Sequence, residues 1–152
     1  MANPKSTASI AGHPIHPMLI PFPIAFFVST FVCDLIFWRA GYPIWATAGM
    51  WLVGVGVIMA LVAAVFGFID FMGDERIRAL TPAWWHFFGN LLVVAISAFN
   101  WYQRYLYGEA AVVPMGITLS LIVVGLLLFT GWKGGELVYR GRVGVSDNAG
   151  PV

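Results

Sequence analysis

The chain has 152 residues, of which 60% are hydrophobic and only 10% are charged, and its mean hydropathy is +0.84. Soluble domains carry roughly 25% charged residues, so the composition excludes a water-soluble globular fold and predicts a lipid environment. A net charge of +1 offers no basic surface for nucleic acid. The one cysteine, Cys33, excludes an internal disulfide and a cysteine-ligated iron–sulfur cluster.

Four apolar stretches are long enough to span a bilayer, which requires roughly 20 residues each. In chain order they cover 18–38, 44–71, 82–102 and 114–132. Prolines precede the first stretch, so its helix begins either at Pro17 with a kink or only at Pro23. The sequence therefore predicts an all-α integral membrane four-helix bundle, up-down-up-down, as a single domain over 1–145. Residues 146–152 are predicted to form a disordered tail.

The distribution of cations predicts the orientation of this bundle. With four spans, both termini and the middle loop lie on one side, and only Arg39 and Arg104 lie on the other. The first side holds six cations: Lys5, Arg76, Arg78, Lys133, Arg140 and Arg142. Because cytoplasmic loops are enriched in Lys and Arg, we expect both termini to be cytoplasmic in a bacterial inner membrane.

Polar residues inside the spans are costly and usually face the bundle interior. The third span carries five of them on one narrow helical stripe: His86, Asn90, Ser97, Asn100 and Arg104. Interhelical hydrogen bonds are the alternative to a functional role for this stripe. In the first span, Asp34 is expected to form an ion pair with Arg104 or Arg39 that anchors the bundle.

A second stripe, on the second span, consists of small residues that predict close helix approach. The same stripe would also leave room for a flat cofactor against the helix. It comprises Gly49, Gly56, Ala60, Ala63 and Gly67, and it ends at Asp70.

Five potential metal ligands are predicted to lie toward the cytoplasmic face, namely His13, His16, Asp70, His86 and Glu136. The proline-rich segment would hold His13 and His16 in fixed positions. If His16 caps the first helix, the helix dipole disfavours its imidazolium form, and the neutral imidazole is the form that ligates a metal. A rigid interfacial turn, whose histidines bind the backbone or lipid headgroups, is the alternative.

A motif that runs through most of the chain resembles a bacterial family of small four-span membrane proteins of unknown function. Its most specific part is His13-Pro14-x-His16-Pro17, and the resemblance covers roughly residues 12–145. The later parts are Phe22-Pro23-Ile24, His86 with Asn90, Gly134-Gly135-x-Leu137-Val138-Tyr139 and Gly144-Val145. Some family members are fused to Rieske-type or c-type cytochrome domains, which this chain lacks. The resemblance therefore implies a redox neighbourhood and assigns no role to any residue.

The leading functional hypothesis is a b-type haem protein that passes electrons in the membrane, because haem iron requires axial ligands such as imidazole. His86 and His16 are the predicted ligands, with His13 as the alternative to His16. Gly67 and Gly89 would make room for the macrocycle. Four aromatic side chains would line its site: Trp84, Trp85, Phe87 and Phe88. Arg76, Arg78 and Lys133 would bind the propionates. A redox partner protein or a quinone would exchange electrons with it, and a homo-oligomer is compatible with the sequence.

Two further hypotheses remain open. The first is a single non-haem metal ion (iron, zinc or manganese) bound or transported by His13, His16 and His86 with Asp70 or Glu136, since mixed imidazole and carboxylate ligands suit these metals. The second is a structural subunit without a cofactor. No nucleophile–base pair, phosphate-binding loop or protease motif is present, so the sequence favours a binding or electron-transfer protein over an enzyme.

Overall fold

The computed structural model describes residues 2–147, and nearly all of its regular structure is helical. A two-stranded hairpin of β1 (Ser9–Ile10) and β2 (His13–Pro14) precedes the helices. The helices are α1 (Ile15–Leu19), α2 (Pro21–Ala40), α3 (Pro43–Gly73), α4 (Glu75–Arg78), α5 (Thr81–Tyr107) and α6 (Ile117–Tyr139).

The first helix begins earlier than either start that the sequence predicts. The hairpin turns at Ala11 and Gly12, which both have positive φ, as a tight two-residue hairpin requires. The backbone N–H of Ile15 then donates to the carbonyl of Ala8, and α1 starts at Ile15. Pro17 is tolerated there because residues of the first helical turn need no backbone N–H. A single residue, Ile20, separates α1 from α2, and its backbone is itself in the right-handed helical region (φ −59°, ψ −27°), so the two run on as one helical segment.

The long helices α2 and α3 run antiparallel in close contact. A Cβ placed on Gly56 would lie 2.7 Å from Cε1 of Phe27, so only glycine admits this ring. Near the other end of the pair, Gly49 faces the side chains of Asp34 and Cys33. The small residues of α3 therefore allow close helix approach, as predicted from the sequence.

Within residues 2–147, three helical segments are long and apolar enough to cross a membrane: Ile15–Ala40, Pro43–Gly73 and Thr81–Tyr139. The chain is therefore an all-α membrane protein. The third segment, of 59 residues, is interrupted at Gly108 (φ 56°) and at Val113, which has extended backbone before a cis peptide bond to Pro114. The prediction of four spans depends on whether this interruption divides the segment into two crossings.

Helices α5 and α6 come before and after this interruption in the sequence, and they pack against each other. His86 near the start of α5 contacts Thr130 near the end of α6, whereas Asn100 contacts Ser120 near the start of α6. The two helices therefore run antiparallel.

An apolar layer crosses the middle of the helices. Phe27 of α2, Val53 and Val57 of α3, Val93 of α5 and Val123 of α6 are all buried and form one cluster. Because lipid tails are as apolar as these side chains, close van der Waals packing stabilises this layer. The layer separates two groups of polar side chains that lie toward opposite ends of the helices.

The amino-terminal segment folds back onto the carboxyl end of α3 and the residues after α6. The carboxylate of Asp70 accepts hydrogen bonds from Ser6 Oγ and from the Ala8 backbone N–H, at 2.9 and 2.8 Å. The Asn3 backbone N–H donates to Asp147 at 2.7 Å. Of the tail predicted to be disordered over 146–152, Asp147 is thus fixed by a hydrogen bond, and 148–152 lie outside the described residues.

Candidate functional site

Two histidine rings from different helices meet edge-on at the end of the bundle where the β1–β2 hairpin precedes α1. Nδ1 of His16 in α1 lies 2.8 Å from the carbonyl oxygen of Ala63 in α3. Nδ1 of His86 in α5 lies 2.9 Å from the carbonyl oxygen of Thr130 in α6. The ring centroids are 6.1 Å apart, and the ring planes are perpendicular. We call His16 and His86 the histidine pair.

The hydrogen bonds of the histidine pair define its tautomer. A carbonyl oxygen only accepts, so Nδ1 of each ring must carry the proton and donate it. The neutral form of each ring then has a lone pair on Nε2. Among residues 2–147, neither Nε2 atom has a hydrogen-bond partner. Each ring is therefore oriented through one nitrogen and keeps the other available for a ligand.

Both rings pack against glycines of the neighbouring helices. A Cβ on Gly67 of α3 would lie 2.9 Å from Cε1 of His16, and a Cβ on Gly134 of α6 would lie 3.0 Å from Cε1 of His86. Gly89, predicted with Gly67 to make room for a macrocycle, instead faces the methyl group of Thr130. Both predicted glycines therefore accommodate side chains of the protein. Sequence reasoning did not single out Gly134 for this role, although it belongs to the Gly134-Gly135 motif.

The other three predicted metal ligands do not join the histidine pair. His13 is exposed, and its Nδ1 lies 3.1 Å from the carbonyl oxygen of Ala11. Asp70 binds the amino-terminal segment, and Glu136 forms ion pairs with Lys133 and Arg140 at 2.9 and 3.3 Å. In the part of the chain that the structure describes, no three or more His, Cys, Asp or Glu side chains are arranged to hold a metal ion.

The cations predicted to bind haem propionates all have partners within the protein. Arg76 forms an ion pair with Asp74 at 2.6 Å, and Arg78 donates to the carbonyl oxygen of Met72 at 2.6 Å. The hydrogen bonds from Arg76 hold the pKa of the Asp74 carboxyl well below its usual range, and Asp74 in turn raises the pKa of Arg76. Lys133 is paired with Glu136.

Three of the four aromatic side chains predicted to line a haem site, Trp84, Phe87 and Phe88, form a cluster around Phe71 of α3, whereas Trp85 contacts Phe129 of α6. The rings of Phe71 and Phe87 stack with centroids 5.1 Å apart, and Trp84 meets Phe71 edge-on at 4.9 Å. Phe88 stacks on Trp84 at 5.8 Å, and Trp85 meets Phe129 at 6.1 Å. Since Phe87 follows His86 directly in α5, the cluster begins next to the histidine pair.

The second polar group lies at the opposite end of the bundle and is fully buried. Arg104 of α5 binds Asp34 of α2 through two hydrogen bonds of 2.7 Å, and the two side chains are 1% and 0% exposed. Ser120 of α6 donates to the same carboxylate at 2.7 Å, and Asn100 accepts from Arg104 Nε at 2.9 Å. The predicted ion pair is confirmed with Arg104 as the partner, because Arg39 is exposed. We call these four residues the buried ion-pair cluster.

Two residues of the predicted polar stripe on α5 lie outside both groups. Asn90 Nδ2 donates to the carbonyl oxygen of His86 at 2.7 Å, within the same helix. Ser97 is buried, and its Oγ has no hydrogen-bond partner among the residues that the structure describes. Val93 of the apolar layer lies between them in α5. The stripe is therefore not a continuous chain of hydrogen bonds from one end of the bundle to the other.

The histidine pair shares one feature with histidines that bind metals. Histidines that ligate metals almost always donate their other ring N–H to a carbonyl or carboxylate, which fixes the tautomer and the ring orientation. Both members of the pair meet this requirement.

Comparison with known proteins gives a family and no further relatives. No curated protein and no solved structure matches the sequence significantly. A family model described as "Predicted membrane protein (DUF2231)" matches residues 12–147, a range that includes the histidine pair, the apolar layer and the buried ion-pair cluster. The chain therefore belongs to this family of predicted membrane proteins.

Proposed function

We propose that this protein binds a b-type haem between His16 and His86 and passes electrons in the membrane. The observation that carries the proposal is the histidine pair itself: two rings on different helices, each held through Nδ1 by a backbone carbonyl. When bound, haem iron supplies one-electron chemistry, and the protein contributes the axial ligands and their orientation. The carbonyls of Ala63 and Thr130 would fix the two rings and raise their basicity.

A second candidate is a single non-haem metal ion held by the same two nitrogens. The observation that favours it is the close packing beside the pair, where Gly67 and Gly89 are occupied by side chains. A macrocycle requires neighbouring side chains to move, whereas a bare ion of iron, zinc or manganese does not. Imidazole is a suitable ligand for several of these metals. Further ligands would have to be water or the substrate, because the predicted carboxylates are engaged elsewhere.

The first test is a visible spectrum, air-oxidised minus dithionite-reduced, of the detergent-purified protein with elemental analysis of the same sample. A sharp reduced α-band with about one iron per chain supports haem. Stoichiometric metal without such a band supports the non-haem ion. If neither an α-band nor bound metal is found after expression with ample haem and metals, a structural subunit without a cofactor becomes the favoured hypothesis.

Variants of the three histidines then test the ligand assignment. We expect His16→Ala and His86→Ala to lose the band or the metal. The matched control is His13→Ala, since His13 lies on the same segment but is exposed and does not face the pair. Full retention in His86→Ala would eliminate the proposed ligand set.

We also propose that the segment Thr81–Tyr139 crosses the membrane twice, which gives four spans and places both termini on one side. The antiparallel contacts of α5 with α6 support this topology. The cation distribution supports a cytoplasmic location of the termini in a bacterial inner membrane, since Arg104 is buried and leaves Arg39 as the exposed cation at the opposite end. A carboxyl-terminal reporter that is active only in the cytoplasm checks the orientation, and periplasmic activity would reverse it.

A further inference from the structure

A surface cavity of about 190 Å³ lies where the start of α5 meets the end of α6. It combines apolar walls with one carboxylate and one guanidinium group. Its lining consists of Leu80, Pro82, Glu136, Leu137, Arg140 and Gly141. Drug-sized ligands occupy pockets of about 300–1,000 Å³, so this cavity has room for a single ring with the rest of the ligand outside it.

The cavity lies next to the histidine pair. Pro82 precedes His86 by four residues and therefore lies on the same face of α5. Gly134, which seats the His86 ring, precedes Leu137 by three residues in α6. At 1.5 Å per residue, the cavity and the ring are separated by about 6 Å along the axis of α5 and by about 4.5 Å along that of α6.

The depth of the cavity corresponds to the interface between lipid and water. The side chains of Trp85, Trp132 and Tyr139 near these helix ends are exposed, and exposed Trp and Tyr residues concentrate at that interface. A ligand dissolved in the membrane can therefore place a polar headgroup in the cavity while its tail stays among the lipid chains.

The polar groups of the cavity retain unused hydrogen-bonding capacity. Glu136 accepts three hydrogen bonds, from Trp132, Lys133 and Arg140, and a carboxylate offers about four acceptor positions. Arg140 is 79% exposed, and its one hydrogen bond to a described residue runs from Nη1 to Glu136 at 3.3 Å. One acceptor position and several donors therefore remain for a ligand.

The combination of groups favours a neutral ring with two oxygens over a phospholipid. The guanidinium of Arg140 can donate to a carbonyl oxygen, and the Glu136 carboxylate can accept from a hydroxyl group, which covers the oxidised and reduced forms of a quinone. A lipid phosphate carries no proton to donate at neutral pH, so it would leave the remaining acceptor position of Glu136 unused. We infer that this cavity is a headgroup site for a membrane quinone, an inference that rests on the proposed electron-transfer function.

Quenching of tryptophan fluorescence by a short-tailed benzoquinone and a short-tailed naphthoquinone tests the site on the full-length purified protein. Trp132 donates to Glu136 and therefore serves as a reporter beside the cavity. We expect saturable quenching by at least one of the two quinones, and at least a tenfold weaker affinity in Arg140→Gln and in Glu136→Gln. Arg39→Gln, at the opposite end of the bundle, is the matched control and should bind as the wild type does.

Unchanged affinity in both variants, or quenching that does not saturate, would overturn the inference. Displacement of the bound quinone by short-chain phosphatidylglycerol at lower concentration would also overturn it and assign the cavity to a lipid. The same titration on His86→Ala separates this inference from the proposed function, because the quinone should still bind there. A protein with haem and no quinone site refutes the inference alone, and a quinone site without haem or metal refutes the proposed function alone.

Discussion

The buried ion-pair cluster and the histidine pair use their hydrogen-bonding atoms in opposite ways. In the buried ion-pair cluster, both carboxylate oxygens of Asp34 are bound by Arg104, and the remaining groups pair with Asn100 and Ser120. In the histidine pair, each ring uses Nδ1 and leaves Nε2 without a partner among residues 2–147. The first arrangement is closed and holds three helices together. The second is open, which is the property of a ligand site.

The apolar layer between them makes the two groups energetically separable. Residues more than 7–10 Å apart without shared partners usually act additively, and Phe27, Val57 and Val93 separate the two ends. Changes in the ion-pair cluster should therefore alter stability and leave ligand affinity intact. Changes in the histidine pair should alter ligand affinity and leave the buried ion-pair cluster intact.

The largest expected effect is the loss of Arg104. Arg104→Leu leaves the buried carboxylate of Asp34 without its partner, which typically costs about 3–5 kcal/mol. Thermal unfolding in detergent should show a large decrease in Tm. Arg39→Leu is the control because Arg39 is exposed, and Asp34→Leu combined with Arg104→Leu should recover much of the loss. A double variant as unstable as Arg104→Leu would contradict the account of an unpaired charge.

The next effect concerns Gly67, against which the ring of His16 packs. Gly67→Ala would place a Cβ 2.9 Å from Cε1 and Nδ1 of the ring, and such overpacking usually costs about 1–3 kcal/mol. The displaced ring should also weaken binding of the haem or metal. Gly125→Ala is the matched control, since a Cβ there meets no atom within 4 Å. Equal ligand retention in the two variants would show that packing against Gly67 does not position His16.

A smaller effect of opposite sign is expected at Ser97, which is 1% exposed and whose Oγ is unpaired within residues 2–147. Ser97→Ala removes a buried hydroxyl that forms no bond, so unfolding should become less favourable by up to about 1 kcal/mol. Ser120→Ala is the comparison, because it removes a donor from Asp34 and should lower Tm. A decrease in Tm for Ser97→Ala would indicate that a water or another group bridges this hydroxyl.

The smallest effect is a pH dependence outside the membrane. The pKa of Asp74 is lowered, mainly by its hydrogen bonds with Arg76, so its charged form stabilises the folded state at neutral pH. That contribution is lost as pH falls below the unfolded value of about 3.9 and through the folded pKa. The Tm difference between wild type and Asp74→Asn should therefore shrink from pH 7 toward pH 3. Glu75→Gln, whose parent side chain is 94% exposed, should show little change.

The sequence predicted the helices and the ion pair because both follow from helical periodicity and charge. Asp34 and Arg104 lie near the same end of two apolar helices, and a buried carboxylate requires a cation. The proximity of His16 and His86 follows from the same reasoning. Haem or metal ligation by them stays a prediction.

The features that sequence reasoning missed depend on backbone groups and on folding back of the amino-terminal segment. Every residue has a carbonyl, so nothing in the sequence distinguishes Ala63 and Thr130 as the partners of the two rings. Asp70 was predicted as a metal ligand, yet it binds Ser6 and Ala8. Hydrophobic periodicity gives no information about where a short polar segment will attach.

The pairing of the two chain ends has a consequence for biosynthesis. The Gly144 backbone N–H donates to the carbonyl of Pro4, and Asn3 binds Asp147, so the segment before α1 finds these partners only after α6 has been synthesised. The ring of His16 can settle on Ala63 once α3 has been synthesised, whereas that of His86 requires Thr130 of α6. The complete pair therefore forms only after α6 has been synthesised, and a cofactor that binds both rings would be acquired after that step.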